Sequence, residues 1–396
     1  MEIRRTRAVV DLDALDHNLE LLAARAPGRR VMPAVKADAY GHGAAAVAGA
    51  CERSRVEMMA VATVHEFLYL REQGITTPIL ILQELFPEER DTALRSGARL
   101  TVGSLAYATA VSEAAQRNNT TAMVHINVDT GMGRMGLFSS NPAQDILEIC
   151  SLGNVTVEGV YSHFPDSDEV DKTFARDQIR QFTELLAYLQ EYGITPRFTH
   201  IANSGALIDF PEESAFDLIR PGVALYGMYP SPDVRHDVGL QPVMSLESAI
   251  VKLTRYDREW TVGYGRSYAV GPGSLIGIVP IGYGDGYRRS LSNRGEVLCH
   301  GRRIPIAGRV SMDMIAIDVT GIAPRVRVGD PVILMGRSAD DDGNIEEILA
   351  EDIAAQTGTI PYEVTCGITA RVPRVYLRDK TPVATQMMGA GYQLIS

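Results

Sequence analysis

From residue 31 onward, short apolar runs end in polar or glycine clusters, and the segments between them space their apolar residues three and four apart. The runs are VMPAVKA, EMMAVAT, TPILIL, ARLTVG, AMVHINVD, VTVEGVYSH, RFTHIAN and FDLIRPG. Among the intervening segments, VHEFLYLREQG, LAYATAVSEAAQRN and ARDQIRQFTELLAYLQEYG each carry one apolar stripe, the pattern of a helix packed by a single face. Eight alternations within about 200 residues predict an α/β fold of closed (β/α)8 TIM-barrel type in preference to an open doubly wound sheet.

Past about residue 240 the rhythm changes. MSLESAIVKLTRY, LIGIVPIGYGDGY, EVLCHG, MIAIDVT and DPVILMG are strand-like and punctuated by Gly and Pro, and only IEEILAEDIAAQTG predicts a helix. The expected organisation is a barrel domain over residues 1–240 and a mostly β domain over 241–396. Near the N-terminus, RAVVDLDAL predicts a strand and then a helix, and these first dozen residues could pair with either domain.

Composition narrows the function classes. Apolar residues are 45% of the 396 and charged residues 22%, ample for a buried core in a soluble globular chain. Asp and Glu outnumber Lys and Arg 49 to 38, a formal net charge of −11, so the long-range field repels nucleic acid and anionic membrane surfaces. The N-terminal MEIRRTRAVVDLDALDHNL is charged throughout, and no uninterrupted run of about 18 apolar residues occurs, so a cytoplasmic protein without membrane partners is expected.

Cys51, Cys150, Cys299 and Cys366 are far apart and form no CxxC, which argues against a zinc site or a disulfide framework. No metal is expected. His42 and His200 lack supporting ligand spacing, and SADDDGNIEEILAED would put Ser338 and Leu349 at the first and twelfth positions of a calcium loop, so it reads as an acidic surface turn.

Chemistry concentrates where a barrel places its active site, directly after the strands. Lys36, Asp38, Tyr40 and His42 follow the first strand, and Asn127, Asp129 and Arg134 the fifth. His163 follows the sixth, His200, Asn203 and Ser204 the seventh, and Arg220 the eighth. A lysine at a barrel mouth is where a Schiff-base amine belongs, because it must be partly desolvated to react as a neutral nucleophile. An exposed or ion-paired lysine satisfies the same pattern. The loops HIANSGAL and RPGVALYG follow strands seven and eight, where barrels often bind phosphate, although Ser and Gly there also suit a plain tight turn. An amine facing an anion site across one mouth describes pyridoxal 5'-phosphate, an aldehyde with a phosphate handle.

AVKADAYGHG, DTGMGRMG, SHF, HIANS, RPGVALYG, VGYGRSY, IGYGDGY, GRVSMD and YEV followed by RVPR occur in that order over nearly the whole chain, which thereby resembles the alanine racemase family. The resemblance implies a barrel plus a β domain, a homodimer with shared active sites, and interconversion of L- and D-alanine with pyridoxal 5'-phosphate. It implies that Lys36 holds the cofactor aldehyde and serves as one catalytic base, and that Tyr264 of the partner subunit is the other. Tyr40, Ser204, the backbone at Gly222 and Val223, and Tyr362 would hold phosphate. Arg220 would face the pyridine nitrogen, and His163 and Asn203 would contact the cofactor. Arg134 would serve both the cofactor's phenolic oxygen and the substrate carboxylate, and Tyr283 and Met312 would line the substrate side from the other subunit. A same-family racemase acting on another amino acid such as serine, a barrel aldolase or decarboxylase that keeps the lysine, and a cofactor-binding protein without turnover are the competing readings.

Two residues depart from the family pattern. Asn127 stands where a carbamylated lysine commonly steers the following arginine, so Arg134 needs another partner, for example a bound chloride. Ser311 stands where cysteine is frequent.

Overall fold

The computed structural model describes residues 4–395. Its first strand, β1 (Arg7–Asp11), runs straight into the helix Leu12–Ala24, as RAVVDLDAL predicts. The Asp11 carboxylate starts that helix by accepting the N–H groups of Asp13 and Ala14, two donors that a helix start leaves free.

The barrel strands are β2 (Arg30–Val31), β3 (Met59–Val61), β4 (Ile79–Ile81), β5 (Arg99–Val102), β6 (Ala122–Asn127), β7 (Val155–Tyr161), β8 (Phe198–His200) and β9 (Leu218–Ile219). Strands β3 to β8 form one parallel sheet in chain order. Pairing of Arg30 with Leu218 and of Val31 with Ile219 joins β2 to β9. A bridge between Ala34 and Ala60 joins β2 to β3, and the Arg220 N–H donates to Ala202 O at 2.9 Å between β9 and β8. The ring is therefore closed. Pro33 and Pro221 have no N–H to offer a neighbour, but their carbonyls continue the pairing, accepting from Ala60 and Ala34, each at 2.9 Å.

The helices Val64–Glu72, Leu105–Arg117 and Thr173–Glu191 fall where the apolar stripes put them, and they bury Phe67, Val111 and Phe182 against the ring. Each such side chain contributes roughly 1.5–3 kcal/mol.

After residue 240 the chain is mostly β. One nine-stranded sheet contains Met244–Ala249, Glu296–Cys299, Pro331–Ala339 and Arg374–Arg378, and β1 lies inside it, antiparallel to Met244–Ala249 and parallel to Arg374–Arg378. A hairpin of Trp260–Val262 and Tyr268–Val270 carries Tyr264 in its connecting turn.

The helix expected over IEEILAEDIAAQTG is only half present. Ile345–Ile348 is a strand, registered Gly336 to Ile348 and Ala339 to Ile345, and the helix Ala350–Thr357 begins after it. The hairpin forms because Asp340 closes its turn, accepting N–H bonds from Asp342 and Asn344, and the Asp352 carboxylate caps the helix at Leu349 N–H. A second helix, Pro361–Cys366, was not predicted; its six residues are too few to show a period.

Candidate active site

A cavity of about 550 Å³ opens at the C-terminal ends of the barrel strands. All ten residues expected to contact the cofactor line it: Lys36, Tyr40, Arg134, His163, Asn203, Ser204, Arg220, Gly222, Val223 and Tyr362. Lys36 and Tyr40 both line it, and the backbone that joins them is unusual. Ala37, Asp38, Ala39 and Tyr40 have φ between 52° and 55°, a turn of left-handed helix without a glycine. At roughly 1–2 kcal/mol per residue, such a turn costs on the order of 4–8 kcal/mol and persists only where its surroundings hold it.

Several groups do. Asp38 Oδ1 accepts the Ala44 N–H at 2.7 Å, Arg374 Nε donates to Gly41 O at 3.1 Å, and Gln386 Nε2 donates to Asp38 Oδ2 at 3.4 Å. Burial lowers the Lys36 ammonium below its ordinary value, with Arg134 and Arg220 adding to the shift and Glu66 opposing it. A larger fraction of the amine is neutral as a result.

Other groups of the cavity wall suit an anion. Ser204 Oγ accepts two backbone N–H bonds, from Gly222 at 2.9 Å and from Ala224 at 3.2 Å. With both acceptor sites used, its hydroxyl hydrogen is the only capacity left. Burial pushes the Tyr40 and Tyr362 phenols up, so both remain protonated donors. A Cβ at Gly222 would stand 2.8 Å from the Tyr40 hydroxyl, so glycine keeps this cradle open. Asn203 is partly structural, since its Oδ1 caps the helix Ser204–Asp209 at Ala206 N–H and accepts from Ser167.

Arg220 lines the cavity as well. It is buried and donates to Ser162 O at 2.7 Å, to Ile201 O at 3.1 Å, to His163 Nδ1 at 3.2 Å and to His200 Nδ1 at 2.7 Å. Burial pulls its guanidinium down to about 10, and it is still a cation at neutral pH. Because arginine has no acceptor, the tautomers beyond it follow. Both histidines receive at Nδ1 and carry hydrogen at Nε2, so His200 donates to His125 Nδ1 at 2.8 Å. The Nε2 of His125 then faces Glu158 at 3.5 Å, a distance that leaves it without a well-formed hydrogen bond. Burial, then Arg220, Arg134 and Lys36, hold the His163 imidazole well below its ordinary value and therefore neutral.

Arg134 is presented by a loop folded around Asp129, whose carboxylate accepts the N–H groups of Gly131, Gly133 and Arg134. Asn127 lines the same cavity, and among the described residues no side chain holds the Arg134 guanidinium.

Tyr264, Tyr283 and Met312 do not line the cavity. They are 69%, 42% and 52% exposed on the C-terminal β region. Sequence reasoning missed Tyr161, stacked on His200 at 4.8 Å, as well as His125 and Glu158. A lone carboxylate inside an otherwise apolar strand was the available signal for Glu158.

Profiles of the alanine racemase N-terminal and C-terminal domains match residues 10–230 and 243–376. The chain is 42% identical over 379 residues to alanine racemase 2 of Caldanaerobacter subterraneus subsp. tengcongensis, covering 95% of this chain and 96% of that protein. It superimposes on alanine racemase of Clostridium difficile 630 with TM-score 0.90 at 35% identity, covering 97% and 98% of the two chains. For the Bacillus anthracis alanine racemase with bound L-Ala-P the TM-score is 0.89 at 34% identity, again covering 97% and 98%. A (β/α)8 barrel with this cavity and these relatives is an isomerase, an amino-acid racemase. The chain belongs to the alanine racemase family.

Proposed function

We propose that the chain interconverts L- and D-alanine with pyridoxal 5'-phosphate in the barrel cavity, acting as a homodimer whose two sites are shared between subunits. One observation carries the reading: a partly desolvated lysine amine and a serine with only its O–H left to give line the same cavity. The donor set fits the group. Lys36 is available for its aldehyde, and Ser204, Tyr40 and Tyr362 are available for its phosphate.

When bound, the cofactor supplies an electron sink that makes the substrate's α-proton acidic. The chain does the rest. Arg220 keeps a cation where the pyridine nitrogen would lie, which disfavours a proton there and limits side reactions. Lys36 takes or returns a proton at Nζ on one face of the α-carbon, and Tyr264 of the partner subunit does so at its phenolic oxygen on the other. Arg134 binds the substrate carboxylate, with Tyr283 and Met312 of the partner subunit closing the substrate side. Among the described residues no helix is long and apolar enough to cross a membrane, and a cytoplasmic location is part of this proposal.

Incubation with single L-amino acids in deuterium oxide tests the reading. L-alanine is expected to gain α-deuterium and lose its optical purity together. Release of carbon dioxide, or exchange with another amino acid only, would replace alanine racemisation with a competing activity. Gly222→Ala is expected to weaken cofactor binding by about tenfold or more, because the new methyl displaces the Tyr40 hydroxyl and a lost charge-assisted hydrogen bond is worth roughly 1.5–3 kcal/mol. Titration of the stripped protein with pyridoxal 5'-phosphate measures it.

A further inference from the structure

We propose that Glu66 is a positioning residue for Lys36, gripping the peptide that directly follows the lysine from the next unit of the barrel. The inference rests on the reading that Lys36 carries the cofactor.

Glu66 is the third residue of the helix Val64–Glu72, and with Thr63 it forms a capping box in which Thr63 Oγ1 accepts the Glu66 N–H. A capping box needs only one acceptor from the glutamate, for the N–H of the cap residue. Glu66 Oε2 does that work, accepting from Thr63 at 3.1 Å and from Ala62 at 2.8 Å. The other oxygen is therefore free of the helix. Oε1 accepts the Ala37 N–H at 2.6 Å.

That N–H belongs to the peptide joining Lys36 to Ala37. Holding it fixes the last backbone torsion of Lys36 and so the direction in which the side chain leaves. The left-handed residues begin at Ala37, the conformation that L-residues resist most. The other side-chain anchors act further along, at Asp38 and Gly41. Among the described residues Glu66 is the one side chain hydrogen-bonded at the junction itself, and it reaches it from the helix after β3, which packs against the ring. Charge acts in the same place. The groups bearing on the Lys36 amine are Arg134, Glu66, Arg220 and Cys366, with His163 in the same cavity wall, and Glu66 is the one carboxylate among them.

Neither near neighbour of glutamate can do both jobs. Glutamine has one acceptor oxygen, and its NH2 would face an N–H either at the cap or at Ala37. Aspartate keeps the charge but is shorter by one carbon–carbon bond, about 1.5 Å, so it can cap the helix or reach Ala37, not both.

The test uses full-length enzyme carrying cofactor, as wild type, Glu66→Asp, Glu66→Gln and Lys36→Ala. Thermal melting, the visible cofactor band, the rate at which hydroxylamine strips the cofactor, and kcat and KM for alanine are measured on each. Glu66→Asp is expected to melt close to wild type and to keep KM within about twofold, while kcat falls about tenfold to a hundredfold, the scale of an ångström-sized misplacement. Hydroxylamine should strip its cofactor several times faster than from wild type, the order of a lost positioning contact. Glu66→Gln should show the same split. Wild-type kcat and wild-type hydroxylamine rates in both variants overturn the inference, as does a loss of kcat that merely tracks a fall in melting temperature. If Lys36→Ala keeps the visible band, the lysine assignment itself has failed. If Lys36→Ala loses it while both Glu66 variants match wild type, only the role of Glu66 has.

Discussion

Lys36→Ala is expected to eliminate the visible band near ~420 nm that a lysine-linked pyridoxal cofactor produces and to reduce racemisation by on the order of 10²–10⁴-fold or more, the contribution of a positioned base alone. Two properties of the side chain meet in that prediction. The amine is lowered from its ordinary value by burial and by Arg134 and Arg220, so it is poised both to add to an aldehyde and to pass a proton. It also lies in the same cavity as the anion cradle of Ser204, Tyr40 and Tyr362, so a cofactor anchored by phosphate presents its aldehyde to no other lysine of the cavity wall. Absorbance before and after borohydride reduction, followed by peptide analysis, checks the prediction. A reduced label on any residue other than Lys36, or an unchanged spectrum in the variant, removes the central assignment.

How much of this was legible in the sequence differs by element, for physical reasons. The barrel was readable because each unit is local, a buried run followed by a one-faced helix. Lys36, Tyr40, His163, Asn203, Ser204 and Arg220 were readable as cavity residues because they stand at or just after the ends of those runs, whereas Tyr362 follows no barrel run and came from the resemblance alone. Ile345–Ile348 was misread because IEEI continues the helical spacing of the segment after it, while the Gly336 to Ile348 register that makes it a strand is non-local. The place of β1 inside the C-terminal sheet was open for the same reason, since alternation reports a buried face and not the partner that covers it. The left-handed turn was invisible: Ala37, Asp38, Ala39 and Tyr40 include no glycine, the usual sign of positive φ. What holds that turn comes from Glu66, Arg374 and Gln386; Glu66 and Gln386 lie in no motif, and RVPR, which ends in Arg374, does not show where that guanidinium reaches.

Tyr264→Phe should retain the cofactor band, because the residue lies outside the Lys36 cavity of its own chain. Interconversion of the enantiomers should fall by on the order of 10²–10⁴-fold. The two alanines are mirror images of equal free energy, so kcat/KM must fall equally in both directions and cannot by itself separate the two bases. Isotope exchange can. Solvent deuterium should still enter the enantiomer whose α-proton faces Lys36, with retention of configuration, and should enter the other only slowly. Equal residual exchange into both enantiomers would argue for a single base. Subunit sharing then predicts a stronger result. If each site combines Lys36 of one chain with Tyr264 of the partner subunit, a mixed dimer of Lys36→Ala and Tyr264→Phe chains contains one doubly defective site and one intact site. Equal coexpression of the two inactive variants is therefore expected to restore about a quarter of wild-type activity, since half the dimers are mixed and each has one working site of two. Were both bases supplied by one chain, every site in the mixture would lack one of them, and no activity would return.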